Sequence, residues 1–153
     1  MDKRIAVFPG SFDPITKGHV NIIQRGLVLF DEIIIGIGAN TIKKYYFSLE
    51  QREKFISDVF RNEPRIKVMS YAGLTVDFCR KVGAAFLLRG LRTSADYEFE
   101  RAIAQMNHAM AIDIETICII SEPSLSHISS TIVRDILMHK GDVSRFVPEG
   151  VGR

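Results

Sequence analysis

Cysteine is scarce: the 153-residue chain has two, Cys79 and Cys118. They stand too far apart for a C-x-x-C pair, which excludes a dense disulfide framework or a zinc ribbon. Within Thr116-Ile117-Cys118-Ile119-Ile120 the second reads as a buried thiol in an apolar strand. Long apolar runs are also missing. The longest, Ile33 to Ala39 and Val82 to Leu88, fall far short of the roughly 18 to 20 residues that span a bilayer, so no transmembrane helix and no membrane partner are expected. After Met1-Asp2-Lys3-Arg4 only Ile5 to Phe8 are apolar before Pro9-Gly10 interrupts. A secretory h-region is absent there, and a cytoplasmic location is expected. Charge of one sign is lacking as well. Lysine plus arginine total 20 against 18 aspartate plus glutamate, a formal +2, and no basic run exceeds Lys43-Lys44. That is too little electrostatic footprint for nucleic-acid binding. The four histidines, His19, His108, His127 and His139, show no H-E-x-x-H or other ligand spacing, so no metal site built by the protein is expected. His108 and His139 read as helix-surface residues.

What is present is the composition of a globular protein, 46% hydrophobic and 25% charged. No repeat, low-complexity tract or linker divides it, so residues 1–153 are expected to form a single domain. Short β-branched runs alternate with longer segments of helical period, the pattern of an α/β protein with a parallel sheet flanked by helices. Strands are expected at Arg4 to Phe8, Glu32 to Ala39, Arg65 to Ser70, Ala85 to Leu88 and Thr116 to Ile120, each too apolar to have one wet face. Val20, Ile23, Leu27 and Phe30 recur at helical spacing after Gly18 and predict the first crossover helix. Ser48-Leu49-Glu50-Gln51 is a capping box for a second. A third should run from about Leu74 to Val82. The fourth carries Phe99, Ile103, Met106 and Met110 on one face, with Asp96, Glu98 and Glu100 complementing its N-terminal dipole. Ser129-Ser130-Thr131 offers caps for a fifth helix, ending at Met138.

In such a sheet ligands bind beyond the carboxyl ends of the strands, where strand order reverses. Four segments at those ends have the chemistry of phosphate binding. Gly10-Ser11-Phe12-Asp13-Pro14-Ile15-Thr16-Lys17-Gly18-His19 runs from the first strand into the first helix. Its glycines allow close backbone approach, and the helix start offers free N–H groups to an anion. It is neither G-x-G-x-x-G nor a P-loop. His19 falls in the first helical turn, where the dipole disfavours an imidazolium. A neutral ring there still donates one N–H to charge developing on a phosphate. Lys43, after strand two, suits an anionic acceptor. Arg89 and Arg92 flank Gly90 with guanidinium forks matched to phosphate oxygens. Ser129, Ser130 and Thr131 place hydroxyls and N–H groups at another helix start, and simple capping is compatible with that reading. Asp96 and Glu100 share a helix face and suit either an arginine, a ribose hydroxyl or the helix dipole.

The string G-S-F-D-P-x-T-x-G-H resembles the signature of the bacterial phosphopantetheine adenylyltransferases, in the T/H-x-G-H nucleotidyltransferase superfamily. The likeness extends along almost the whole chain through Lys43-Lys44, Leu88-Arg89-Gly90-Leu91-Arg92, Ile128 to Arg134 and Lys140 to Pro148. Ser11 stands where many members carry threonine, which preserves a hydroxyl.

The resemblance implies a Rossmann-like doubly wound five-stranded parallel sheet with helices on both faces. It also implies transfer of the adenylyl group of ATP to 4′-phosphopantetheine, giving dephospho-coenzyme A and pyrophosphate. The acceptor phosphate is already ionised near neutral pH, so positioning and charge stabilisation suffice, without a covalent intermediate. By the same resemblance His19 is catalytic at the α-phosphate, while Gly10, Ser11, Phe12, Gly18 and His19 cradle the nucleotide. Gly90, Leu91, Arg92 and Glu100 complete the adenosine side, and Leu125, Ser126, His127, Ile128, Ser129, Ser130 and Thr131 meet the β- and γ-phosphates. Ser11, Lys43 and Arg89 hold the acceptor phosphate, and Leu74 and Thr75 its neutral arm. Magnesium is expected on the ATP phosphates, held largely by substrate and water. A homohexamer and feedback inhibition by coenzyme A are further implications. Another small-molecule nucleotidyltransferase, acting on nicotinamide mononucleotide or a cytidine nucleotide, is the nearest alternative. A nucleotide sensor without turnover is a second.

Overall fold

The computed structural model describes residues 2–40 and 42–153. Five strands, β1 (Ile5–Gly10), β2 (Glu32–Gly38), β3 (Ile66–Tyr71), β4 (Phe86–Leu91) and β5 (Glu115–Ile120), form one parallel sheet in the order β3-β2-β1-β4-β5. The chain winds outward from β1 to β3, then returns to lay β4 on the other side of β1. The carboxyl ends of β1 and β4 therefore flank the point where strand order reverses, the expected place for a ligand.

Helices cover both faces, as expected. On one face α1 (Lys17–Gly26), α2 (Leu49–Val59) and α5 (Ser130–Met138) bury Ile22, Ile23, Phe55, Ile56 and Val133 against Phe8, Ile33, Ile35 and Leu88. On the other, α3 (Thr75–Val82) packs Val76, Phe78 and Cys79 on Val7, Ile34 and Leu87, beside α4 (Ser94–Met110). The starts of the helices match their caps. Ser48 and Gln51 form the reciprocal capping box of α2, and Ser129 Oγ accepts the Ile132 N–H at the start of α5. No helix among the described residues is long and apolar enough to cross a membrane.

Four expectations need correction. β4 continues to Leu91, so Arg89 and Gly90 lie within the strand rather than after it; pairing with β5 as far as Ile120 carries it on. α1 stops at Gly26, where a Cβ would approach Leu88 to 2.8 Å, and Leu27 and Phe30 follow in the turn. The edge strands do have a wet face. In β5, Ile117 and Ile119 pack on the core while Cys118 is exposed and Ile120 is 73% exposed, so Cys118 is no buried thiol. An edge strand lacks a neighbour to extend the helical cover over it. The apolar stripe of α4, for which only the period was expected, faces outward, with Phe99 at 64% and Met106 at 65% exposure. Its sequence period reads correctly, but its partner is not in the core.

Candidate active site

The loop leaving β1 is shaped by side chains from three other elements. Phe12 adopts φ +48°, a left-handed conformation that costs a non-glycine residue of order 1–3 kcal/mol. Burial of its ring against Phe8 and His19, with centroids 5.6 and 5.1 Å away, offsets that strain. Gly10 is glycine because a Cβ would press to 3.1 Å of the same ring. At Gly18 the nearest atom to a Cβ is Thr16 Oγ1 at 3.5 Å, an ordinary contact. Internal packing therefore does not demand that glycine, and its lack of a side chain leaves the helix start open to close approach.

His19 sits at the third position of α1, locked to the helix cap. The Thr16 hydroxyl accepts the His19 N–H at 3.3 Å, and the Thr16 N–H donates to His19 Nδ1 at 3.0 Å. Accepting at Nδ1 places the proton of a neutral ring on Nε2. Burial, then the nearby Arg89 and Arg92 guanidiniums, pull its pKa down from 6.5 to about 4. At neutral pH the ring is thus an uncharged donor facing a cleft of about 350 Å³.

Around this cleft stand Lys43, Arg89, Arg92 and Arg134, four cations against the carboxylates of Asp96 and Glu100. Both carboxylates are committed. Glu100 is buried and takes a two-pronged bond from Arg89 Nε and Nη2 at 2.8 and 2.7 Å, while Arg89 Nη1 donates to the Pro9 carbonyl. Asp96 accepts the Arg92 N–H and Nε, and Arg92 Nη1 reaches the Ile128 carbonyl at 2.9 Å. Of the alternatives open for the acidic pair, an arginine is the partner in both cases. At the start of α5, Ser129 caps, Ser130 Oγ donates to the Pro14 carbonyl, and Arg134 bridges the Asp13 carbonyl and Thr131 Oγ1. Lys43 Nζ comes to 3.2 Å of Ser11 Oγ across 32 residues of sequence.

A second cavity of about 330 Å³ adjoins the first and shares Pro9, Gly10, Ser11, Lys43, Arg89 and Glu100 with it. Its far wall is formed by Tyr71, Thr75, Ile103 and Asn107. Tyr71 stacks on Phe78 at 4.4 Å, and its hydroxyl lies 2.8 Å from that of Thr75. The site is therefore a single cleft with two halves that meet at Ser11, Lys43 and Arg89.

Of the residues singled out from sequence, the structure gathers Gly10, Ser11, Phe12, Gly18, His19, Lys43, Arg89, Gly90, Arg92, Glu100, Ile128, Ser129, Ser130 and Thr131 around the first half, and Thr75 at the second. Leu74, Leu91, Leu125, Ser126 and His127 line neither half. Leu74 is the exposed residue preceding α3, and the His127 ring lies edge-on to Phe146 in the tail. Sequence reasoning missed Arg134, Tyr71 and Asn107 as lining residues. Arg134 was within reach, since it stands four residues after Ser130 on the same helix face. No local pattern marks the other two.

The cytidylyltransferase-like family model matches residues 7–136. The phosphopantetheine adenylyltransferase of Flavobacterium psychrophilum is 57% identical over 148 residues, 97% of each chain. The chain belongs to the phosphopantetheine adenylyltransferase family. A further member, from Bacteroides thetaiotaomicron, is 51% identical over 97% of both chains. Among solved structures, a bifunctional NMN adenylyltransferase/ADP ribose pyrophosphatase of Francisella tularensis superposes with a TM-score of 0.71 at 20% identity. It covers 95% of this chain and 45% of that one, a likeness of fold.

Proposed function

We propose that this family member, acting as a single nucleotidyltransferase domain, transfers the adenylyl group of ATP to 4′-phosphopantetheine. The products are dephospho-coenzyme A and pyrophosphate, a step of coenzyme A synthesis. Beyond family membership, the observation that supports this reading most is the two-part cleft, with the neutral His19 in one half and Lys43 and Arg89 where the halves meet. An acceptor phosphate oxygen attacks the α-phosphorus in line. The bond from that phosphorus to the bridging oxygen breaks, and pyrophosphate leaves. His19 Nε2–H stabilises charge growing on the α-phosphate, and the helix starts at Gly18 and at Ser130-Thr131 receive the polyphosphate. Lys43, Ser11 and the Arg89 N–H groups not used by Glu100 and Pro9 hold the acceptor phosphate. Thr75, with Tyr71 beside it, borders its arm.

Magnesium would fit as a companion of the nucleotide, held by its phosphates and water, since the cleft carboxylates Asp96 and Glu100 are already bound to arginines. It would shield the charge of the leaving pyrophosphate. Self-association is supported by the uncovered apolar stripe of α4, and a homohexamer is the assembly that the family resemblance implies. Coenzyme A has both a nucleotide and a pantetheine arm, so it would occupy both halves and inhibit by competition. The enzyme works in the cytoplasm, where ATP and the acceptor are available.

The test is pyrophosphate release by purified protein with ATP and a panel of phosphorylated acceptors. Release with phosphopantetheine, and not with nicotinamide mononucleotide, is the expected result. Release only with another acceptor, or ATP binding without release, would replace this reading.

A further inference from the structure

Behind the cleft, lining neither half, lies Arg52 of α2, only 2% exposed. It forms no ion pair among the described residues. A buried guanidinium is costly unless its donors are used, and here they are used on two loops at once. Nη1 donates to the Ser11 carbonyl at 2.8 Å, across 41 residues of sequence, and Nε to the Phe47 carbonyl at 3.2 Å. Its Cζ stacks 3.9 Å from the centroid of the Tyr45 ring, an arrangement worth more when desolvated. Tyr45 in turn donates to the Gly38 carbonyl, accepts the Asn40 N–H, and has Lys43 Nζ 5.5 Å from its centroid. The same two loops are clasped from the other side by Asp13. Its buried carboxylate accepts the N–H groups of Tyr46 and Phe47 at 2.7 and 2.8 Å.

We infer that Arg52 is a positioning residue that sets Lys43 against Ser11 by fastening the Lys43-bearing loop to the loop that leaves β1. This rests on the proposed role of Lys43 and Ser11 at the acceptor phosphate. Ser11 is held through its backbone and Lys43 through the Tyr45 ring, so one guanidinium fixes both ends of the 3.2 Å contact between them. Lysine cannot replace it, because a single ammonium cannot span two carbonyls while keeping a flat face on Tyr45.

The test compares phosphopantetheine and ATP affinities by calorimetry in wild type, Arg52→Lys, Lys43→Ala and the double variant, with thermal melting in parallel. Arg52→Lys is expected to weaken phosphopantetheine binding roughly tenfold and ATP binding less than about twofold. In the Lys43→Ala background the same change should add less than about twofold, because the route through Lys43 is already cut. A role confined to stability would lower both affinities together, or would persist undiminished beside Lys43→Ala, and either result overturns the inference. Unchanged acceptor affinity in Arg52→Lys does so too. Should Arg52→Lys not fold, Tyr45→Leu removes the platform from a half-buried site. Because Tyr45 itself borders the second half, a roughly threefold loss of acceptor affinity with ATP affinity intact supports the inference only if it disappears beside Lys43→Ala, and an undiminished loss or no change rejects it. Binding is read apart from turnover, so a wild type that binds phosphopantetheine without releasing pyrophosphate would count against the proposed reaction alone.

Discussion

In the half of the cleft proposed for the nucleotide, His19, Thr16 and Gly18 come from one turn of α1 and its cap, and Ser129 to Thr131 from one turn of α5. The half proposed for the acceptor adds Thr75 from α3 and Asn107 from α4, and shares with the first Lys43 from the loop after β2 and Arg89 from β4. Local hydrogen bonds of the helix caps order each turn of the first set, and the Ser130–Pro14 and Arg134–Asp13 bonds bring the two turns together. The second set depends on long-range ties among Arg89, Glu100, Arg52 and Asp13. The contrast separates two demands. Transition-state charge needs a rigid donor, whereas an acceptor needs several charges brought together from afar.

Substitutions sharpen this comparison. The largest expected effect is in the nucleotide half: His19→Ala should lower turnover by about 10² to 10³ while ATP affinity changes little, since its bond strengthens only in the transition state. Steady-state kinetics beside ATP calorimetry would check it, and turnover within a few-fold of wild type in a folded variant would remove His19 from the chemistry. Next comes Arg89→Ala, expected to weaken phosphopantetheine binding by roughly 1.5 to 3 kcal/mol and ATP binding less. It also strands the buried Glu100 carboxylate, so denaturant melts should show lost stability that an added Glu100→Gln recovers without restoring acceptor binding. Lys43→Ala should act on the same affinity at the lower end of that range, because Lys43 is exposed and screened. Smallest is Ser129→Ala, costing about 1 kcal/mol of stability by removing the α5 cap. Chemical melts showing no loss would mean that another group caps the helix.

The comparison also makes a pH prediction. With its pKa near 4 against an ordinary 6.5, His19 takes up a proton in the unfolded chain before it does so in the fold. Its contribution to stability is therefore full above about pH 6.5 and declines as pH falls toward 4. Urea melts at a series of pH values should show a steeper loss over that window for wild type than for His19→Ala. Equal slopes would place the ring in ordinary solvent.

How much the sequence discloses follows the same division. The Gly10 to His19 string, the Ser48 capping box and the serine caps of α5 are contiguous, and spacing alone places their helix starts. The alternation of strands and helices likewise carries the parallel sheet. What stayed hidden depends on which surfaces meet. The period of α4 is plain, yet it cannot tell that Phe99 and Met106 face outward. Thr116 to Ile120 reads as buried because its place at the sheet edge is a matter of topology. Arg52 appears in the sequence as one more charge in a helix, and only the fold brings it to Ser11. The commitment of Glu100 to Arg89 is of the same kind, eleven residues apart and joined by the turn from β4 to α4.

On the proposed reading this cleft transfers an adenylyl group by position and charge, without a covalent enzyme intermediate. The two cysteines are poorly placed for the alternative. Cys79 is buried with its thiol pushed up to about 11, and Cys118 lies on the exposed edge of the sheet, lining neither half of the cleft. The most direct measurement is exchange of labelled pyrophosphate into ATP by enzyme freed of phosphopantetheine and dephospho-coenzyme A. No exchange is expected until dephospho-coenzyme A is added, when reversal of the single step begins. Robust exchange with ATP and pyrophosphate alone would establish an adenylyl-enzyme and contradict the account.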